Sequence, residues 1–251
     1  QNRELADFAD ALAAAGDVVR VESAGSIRDG RRVWFLLRGD SFSVRGDDVL
    51  HPYILLSNGH DGTAAMRVTP TTVRVVCSNT LHMVIPRGSS GRVQPGGLAV
   101  RHSGDIQSIV EQAKAALELY GRSLESTRDL AATLASLDVS RQSLRDFWLD
   151  VYHTIQAPIP ADPQTPGERT QRTKAEQALA SIAQRFDDEA KVGGANAWNA
   201  LNAFTGWAQH DRPVQGQTQA QRDENRLRNQ LLGSAAKDTH RALELAASTF
   251  I

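Results

Sequence analysis

Leu98-Ala99-Val100-Arg101-His102-Ser103-Gly104-Asp105-Ile106-Gln107-Ser108-Ile109-Val110-Glu111-Gln112-Ala113 is where the periodicity of this 251-residue chain changes. Its first five residues continue a series of short β-branched or alternating runs. From Asp105 onward Ile106, Ile109, Val110, Ala113, Leu117, Leu119, Leu124, Leu130 and Leu134 sustain a helical stripe. The switch divides the chain into a sheet half and a helical half, so the fold class is α+β.

Upstream, Val18 to Ala24, Arg32 to Leu37, Tyr53 to Ser57, Ala64 to Pro70 and Leu98 to His102 read as strands. Arg28-Asp29-Gly30, Gly46-Asp47-Asp48 and His60-Asp61-Gly62 punctuate them as hairpin turns require, which predicts an antiparallel sheet of about five strands. A short helix precedes them, because Leu5, Phe8, Ala9 and Leu12 fall on one face ahead of a stop at Gly16. Thr71 to Met83 is ambiguous. Val73, Val75 and Val76 favour strand while Ser78, Asn79 and Thr80 suit a helix N-cap, and the segment reads as a strand passing into a short helix. Pro86 to Gly97 reads as a flexible surface loop carrying Arg87 and Arg92.

Downstream, the stripe after Asp105 predicts a helix of about 30 residues, roughly 45 Å long and able to brace the sheet and a second subunit. Ser140 to Ile155 follows with Leu144, Phe147, Trp148 and Val151 on one face, then a proline-rich linker over 157–167. Thr173 to Lys191, Ala195 to His210 and Gln219 to Ser248 complete the helical part. The expected domains are 1–138, the sheet with its helices and the candidate nucleic-acid-binding core, and 139–251, the helical region.

Composition narrows the function classes without naming one. The apolar fraction of 41% and charged fraction of 23% are those of a globular protein, and the net charge of −1 gives no global attraction to nucleic acid or membrane. A single cysteine, Cys77, excludes an intramolecular disulfide and a multi-cysteine zinc site and fits the reducing cytoplasm. No apolar run is long enough to span a bilayer, so no membrane partner is expected. Gln1-Asn2-Arg3-Glu4-Leu5 is not a translation start, and a preceding natural segment is expected.

Two polar segments could carry chemistry. In Ser57-Asn58-Gly59-His60-Asp61-Gly62-Thr63 the pair His60 and Asp61 reads either as a base and carboxylate of a site loop, joined by Asn79 or His102, or as hairpin turn chemistry. In Arg74 to Leu81, Cys77 reads either as a thiol nucleophile activated at a helix N-terminus or as a buried small hydrophobe. No zinc-protease spacing, phosphate-binding glycine loop or serine-hydrolase elbow occurs, and no cofactor is implied. Arginine outnumbers lysine 24 to 4, which suits bidentate phosphate contacts and equally reflects a GC-rich genome. The sheet-half arginines, among them Arg67, Arg74, Arg87, Arg92 and Arg101, would form a track for a nucleic-acid backbone if they converged; eleven acidic residues within 1–105 make scattered charge the competing reading. Trp198, Phe204 and Trp207 form the densest aromatic segment, for which core packing is the default.

Taken together, Tyr53 to Thr63, Val73 to Leu81, Val100 to Ile106, Trp198 to Thr205 and His210-Asp211-Arg212-Pro213 resemble the phage/plasmid-like protein family, which carries a domain of unknown function found in phages, plasmids and prophages. That resemblance implies a role in the DNA metabolism of mobile elements. By fold analogy alone, a sheet of hairpins with a long helix is similar to single-strand annealing proteins of the phage Redβ/RecT type. The analogy implies a homo-oligomeric ring or filament binding single-stranded DNA along arginines, promoting annealing or recombination without nucleotide hydrolysis. The alternatives are a hydrolase or nuclease using His60, Asp61, Asn79 and His102, and a non-catalytic interaction module.

Overall fold

The computed structural model describes residues 2–14, 19–27, 29–59, 66–75, 78–83, 93–94, 97–100, 106–156 and 158–251. Helix α1 (Asn2–Ala14) leads into strands β1 (Arg20–Ile27), β2 (Arg32–Arg38), β3 (Phe42–Arg45), β4 (Asp48–Gly59), β5 (Met66–Arg74), β6 (Asn79–His82), β7 (Val93–Gln94) and β8 (Gly97–Val100). Helices α2 (Ile106–Ser136), α3 (Arg141–Ile155), α4 (Pro166–Gly193), α5 (Ala197–Gly206), α6 (Gln219–Leu231) and α7 (Ser234–Phe250) follow, with a π-helical turn at Trp207–Asp211. The α+β architecture is the one the change of period implies. The chain divides into two compact units, Gln1–Val76 with Thr80–Asp129, and Cys77–Asn79 with Leu130–Ile251.

In the first unit the antiparallel strands run in the order β1-β2-β4-β5-β8-β7, with β3 also on β4 and β6 also on β5. One sheet face carries Leu37, Ile54, Leu56 and Val68 into a core completed by Leu5, Phe8 and Leu12 of α1 and Ala113, Ala116 and Tyr120 of α2. Each large apolar side chain buried there contributes about 1.5–3 kcal/mol. Gly46, at φ 54°, opens the two-residue turn that pairs Arg45 with Asp48, where a Cβ would be strained.

Among the described residues eight strands rather than about five form, because two long strands each serve two partners and a further hairpin adds β7. Along one edge of β4, β3 pairs with 48–50 and β2 with 53–59; Pro52, which has no N–H to give, stands at the seam and accepts from the Gly39 N–H at 2.9 Å. Pro70 stands likewise on β5 between the partners β8 and β6, accepting from the Met83 N–H at 3.0 Å. Proline is tolerated within these strands because the ladder there asks for no donor.

No helix lies between Thr71 and Met83 among the described residues: β5 continues to Arg74 and β6 begins at Asn79, against the expected short helix. Ser78 sits at φ 53°, outside the helical region, and Asn79 spends its amide on a tertiary contact rather than on a cap. The β7–β8 hairpin likewise replaces part of the expected 86–97 loop.

In the second unit Ser140 caps α3 as expected, accepting from the Ser143 N–H at 3.1 Å. Helix α4 begins at Pro166, seven residues before the periodicity suggested, because Thr165 and Glu168 close a capping box ahead of it. Every residue of α5 is buried. Trp198 and Phe204 lie in the core, Trp148 donates its indole N–H to the Ala200 carbonyl at 3.0 Å, and Phe204 meets Trp207 at 5.7 Å between centroids, so the aromatic segment is packing. The expected single helix over Gln219 to Ser248 is broken at Leu232-Gly233 into α6 and α7.

Candidate functional site

The sheet face opposite the α1 and α2 core is set by register. Side chains directly across neighbouring strands share a face, and those two residues along a strand return to it. Arg20 stands across from Arg38, which stands across from Tyr53. Trp34 stands across from Gly25 and Ser57, and Ser57 across from Arg67. Arg32, Trp34, Leu36 and Arg38 alternate along β2, so Arg20, Arg32, Arg38 and Arg67 share one face of three strands. A Cβ at Gly25 would come within 2.6 Å of the Trp34 ring; glycine there lets the indole lie against the β1 backbone.

A polar cluster occupies one end of this face. Register slips between Val21 and Ser23, and Glu22, in that bulge, reaches two neighbours. Its carboxylate accepts from Arg38 Nη1 at 3.2 Å and from the Tyr53 hydroxyl at 2.9 Å. Ser41, in the β2–β3 connection, has its hydroxyl 2.6 Å from His51 Nδ1. Arg38 Nη2 lies 3.1 Å from His51 Nδ1, 3.3 Å from His51 Nε2 and 3.3 Å from Ser41 Oγ.

The Ser41–His51 pair has the spacing of a nucleophile and its base, with the Arg38 guanidinium beside both. Burial first and the Arg38 cation second push the His51 pKa down, against an opposing pull from Glu22, so the ring stays neutral near pH 7. Arg38 Nη2 reaches both ring nitrogens, so the Ser41–His51 bond runs from the ring or from the hydroxyl according to the tautomer. A guanidinium and an exposed hydroxyl, held by a neutral imidazole and a carboxylate, make a donor set for an anion.

Burial first, then the Glu22 hydrogen bond and charge, push Tyr53 up to about 12. Tyr120 and Tyr152 are also raised, chiefly by burial. A phenol raised above its unfolded value near 10 adds stability that is full below about pH 10 and lost as pH rises through the folded value. Alkaline absorbance titration of the native protein should therefore place the Tyr53 step near 12 rather than 10, and Glu22→Gln should bring it down towards 10. Full phenolate absorbance of all three tyrosines by pH 10 would contradict this geometry.

A family model described as a domain of unknown function (DUF932) matches residues 1–232. The chain belongs to the DUF932 family. No curated protein and no solved structure matches it.

Of the residues nominated from the sequence of this DUF932 chain, Arg67 is on the arginine-bearing face. Arg74 is not available there in the way expected: it is buried, and its Nε and Nη2 bind the Asp48 carboxylate at 2.6 and 2.7 Å. Asn79 lies within the helical unit, donating to the Asn202 carbonyl at 2.9 Å and to Thr205 Oγ1 at 3.1 Å, which makes it a structural tie. His60, Asp61, His102, Arg87, Arg92, Arg101 and Cys77 lie outside the described residues. Glu22, Ser41, His51 and Tyr53 were not singled out from the sequence as site residues, because only strand register brings them together. No described helix is long and apolar enough to cross a membrane.

Proposed function

We propose that this chain binds single-stranded DNA through the face of its sheet that carries Arg20, Arg32, Arg38 and Arg67, and that it promotes strand annealing or recombination of mobile-element DNA as a cytoplasmic homo-oligomer. The observation supporting the reading is that these four arginines, from β1, β2 and β5, share one face of the sheet, around a centre where Tyr53, Leu55 and Ser57 of β4 are buried. Arg20 directly opposite Arg38 is a like-charge cross-strand pair, offset by the Glu22 carboxylate bonded to Arg38. The Arg38–Ser41 pair adds a place for one phosphate, and the partly buried Trp34 adds aromatic surface against which a base can stack. The annealing role and the ring or filament assembly draw on the family resemblance and the fold analogy, with α2, 31 residues and about 46 Å long, as the subunit brace.

Titration of the protein with a fluorescent single-stranded oligonucleotide at two salt concentrations, with its mass in solution recorded alongside, tests the reading. The expected result is binding that weakens steeply with salt, by roughly 0.7 log units per decade for each phosphate neutralised, together with an assembly larger than one chain. No binding at low salt would remove the proposal.

A further inference from the structure

The helical unit holds a cavity of about 420 Å³ that the sheet-face reading does not use. Its wall includes Gln209, Arg212, Arg226, Arg228, Asn229 and Ser234, and none of its lining residues is acidic. The sequence sets this up locally: Asn225, Arg226, Arg228 and Asn229 recur at helical spacing on α6, so their side chains share one side of that helix.

The opposite wall is the π-helical turn, a feature that concentrates at functional sites because it unpairs the backbone locally. Here the Gln209 carbonyl accepts from Arg226 Nη1 at 2.8 Å and from Gln230 Nε2 at 3.3 Å. Arg212 is compensated by Asp238, at 2.6 Å, and stacks 5.9 Å from the Trp207 ring centroid. Arg226 and Arg228 have no carboxylate partner among the described residues. The start of α7 adds to the same sign: Ser234 and Ala235 line the cavity, Gly233 supplies no side-chain cap, and no acidic residue occupies the first turn. Two uncompensated guanidiniums, a neutralised third and a carboxamide-bearing wall enclose a volume within the range of small-molecule sites.

We propose that this cavity binds a small phosphate-bearing molecule of nucleotide size, its phosphate held by Arg226 and Arg228 and its polar remainder by Asn229. Planar guanidinium forks match phosphate oxygens, and carboxamides pair with the donor and acceptor edges of a base or sugar. The site is distinct from the arginine-bearing sheet face and stands or falls separately from it.

Calorimetric titration of the full chain with inorganic phosphate, a nucleoside monophosphate, a nucleoside triphosphate and a single-stranded oligonucleotide tests it, with Arg228→Gln and Arg228→Lys beside the unaltered protein. A one-to-one complex with a nucleoside phosphate is expected, weakened about 10- to 100-fold by Arg228→Gln and in part restored by Arg228→Lys. Equal binding of inorganic phosphate alone would reduce the site to a simple anion hole and overturn the nucleotide-sized ligand. Loss of oligonucleotide rather than nucleotide binding on Arg228→Gln would overturn the small-molecule assignment, as would nucleotide binding indifferent to both variants. Thermal melts of the variants separate a lost contact from a lost fold: a weakened complex with an unchanged melting temperature counts for the proposal, and an affinity loss that tracks the melting temperature counts against it.

Discussion

Arg74→Met is expected to lower the unfolding free energy by about 3–5 kcal/mol, the cost of stranding a buried carboxylate. The guanidinium meets Asp48 through two bonds of 2.6 and 2.7 Å, and the two side chains are only 5% and 12% exposed. Removing the cation takes from the largely buried Asp48 carboxylate both of the bonds Arg74 makes to it. The double variant Arg74→Met with Asp48→Leu should recover most of the loss, since both charges then leave together and apolar volume replaces them. Urea unfolding of the three variants reads the cycle. A single variant costing less than about 1 kcal/mol would place the pair among solvent-exposed ones and contradict the burial. The same variant separates two roles for one residue: if Arg74 contacts phosphate, oligonucleotide binding weakens at unchanged stability, and if it holds β4 to β5, stability falls first.

Arg74 also shows what a sequence can and cannot convey. An arginine in a strand announces its charge, while its partner stands 26 residues away and becomes its neighbour only through the β4–β5 register. Helix α2 was legible because a single stripe persists over 31 residues, and α3 because its cap and its apolar face agree. Strands were legible as runs and not as partners. Pro52 and Pro70 count locally against central strands, and only the seams between short partner strands explain them. At β5–β6 local propensity lost to a tertiary bond, since the Asn79 amide that could cap a helix instead reaches Asn202 and Thr205. The cluster at Glu22 was hidden for a related reason. A bulge between Val21 and Ser23 resets which side chains of β1 face Arg38 and Tyr53, and no strict alternation predicts where such a slip falls.

Register also fixes which arginines belong in the decisive binding experiment. Arg20→Gln, Arg32→Gln and Arg67→Gln combined should reduce the slope of log affinity against log salt for single-stranded DNA by about 2, if each neutralises one phosphate. Arg38 is left in place, because it also holds Glu22 and His51 and its loss would disturb Tyr53. Glutamine keeps the length and polarity of the side chain while removing its charge, so the thermal melt should move little, and a large drop would disqualify the binding result. Arg141→Gln with Arg145→Gln, on the exposed surface of α3, removes charge from the helical unit and controls for net charge alone. A slope unchanged by the triple variant would move the phosphate contacts off this face altogether. An equal reduction per charge removed by the α3 pair would show that the salt response follows total charge rather than a surface. A reduction confined to the triple variant is what an arginine-bearing sheet face requires, because counterions are released only where guanidiniums take the place of those ions at the phosphates.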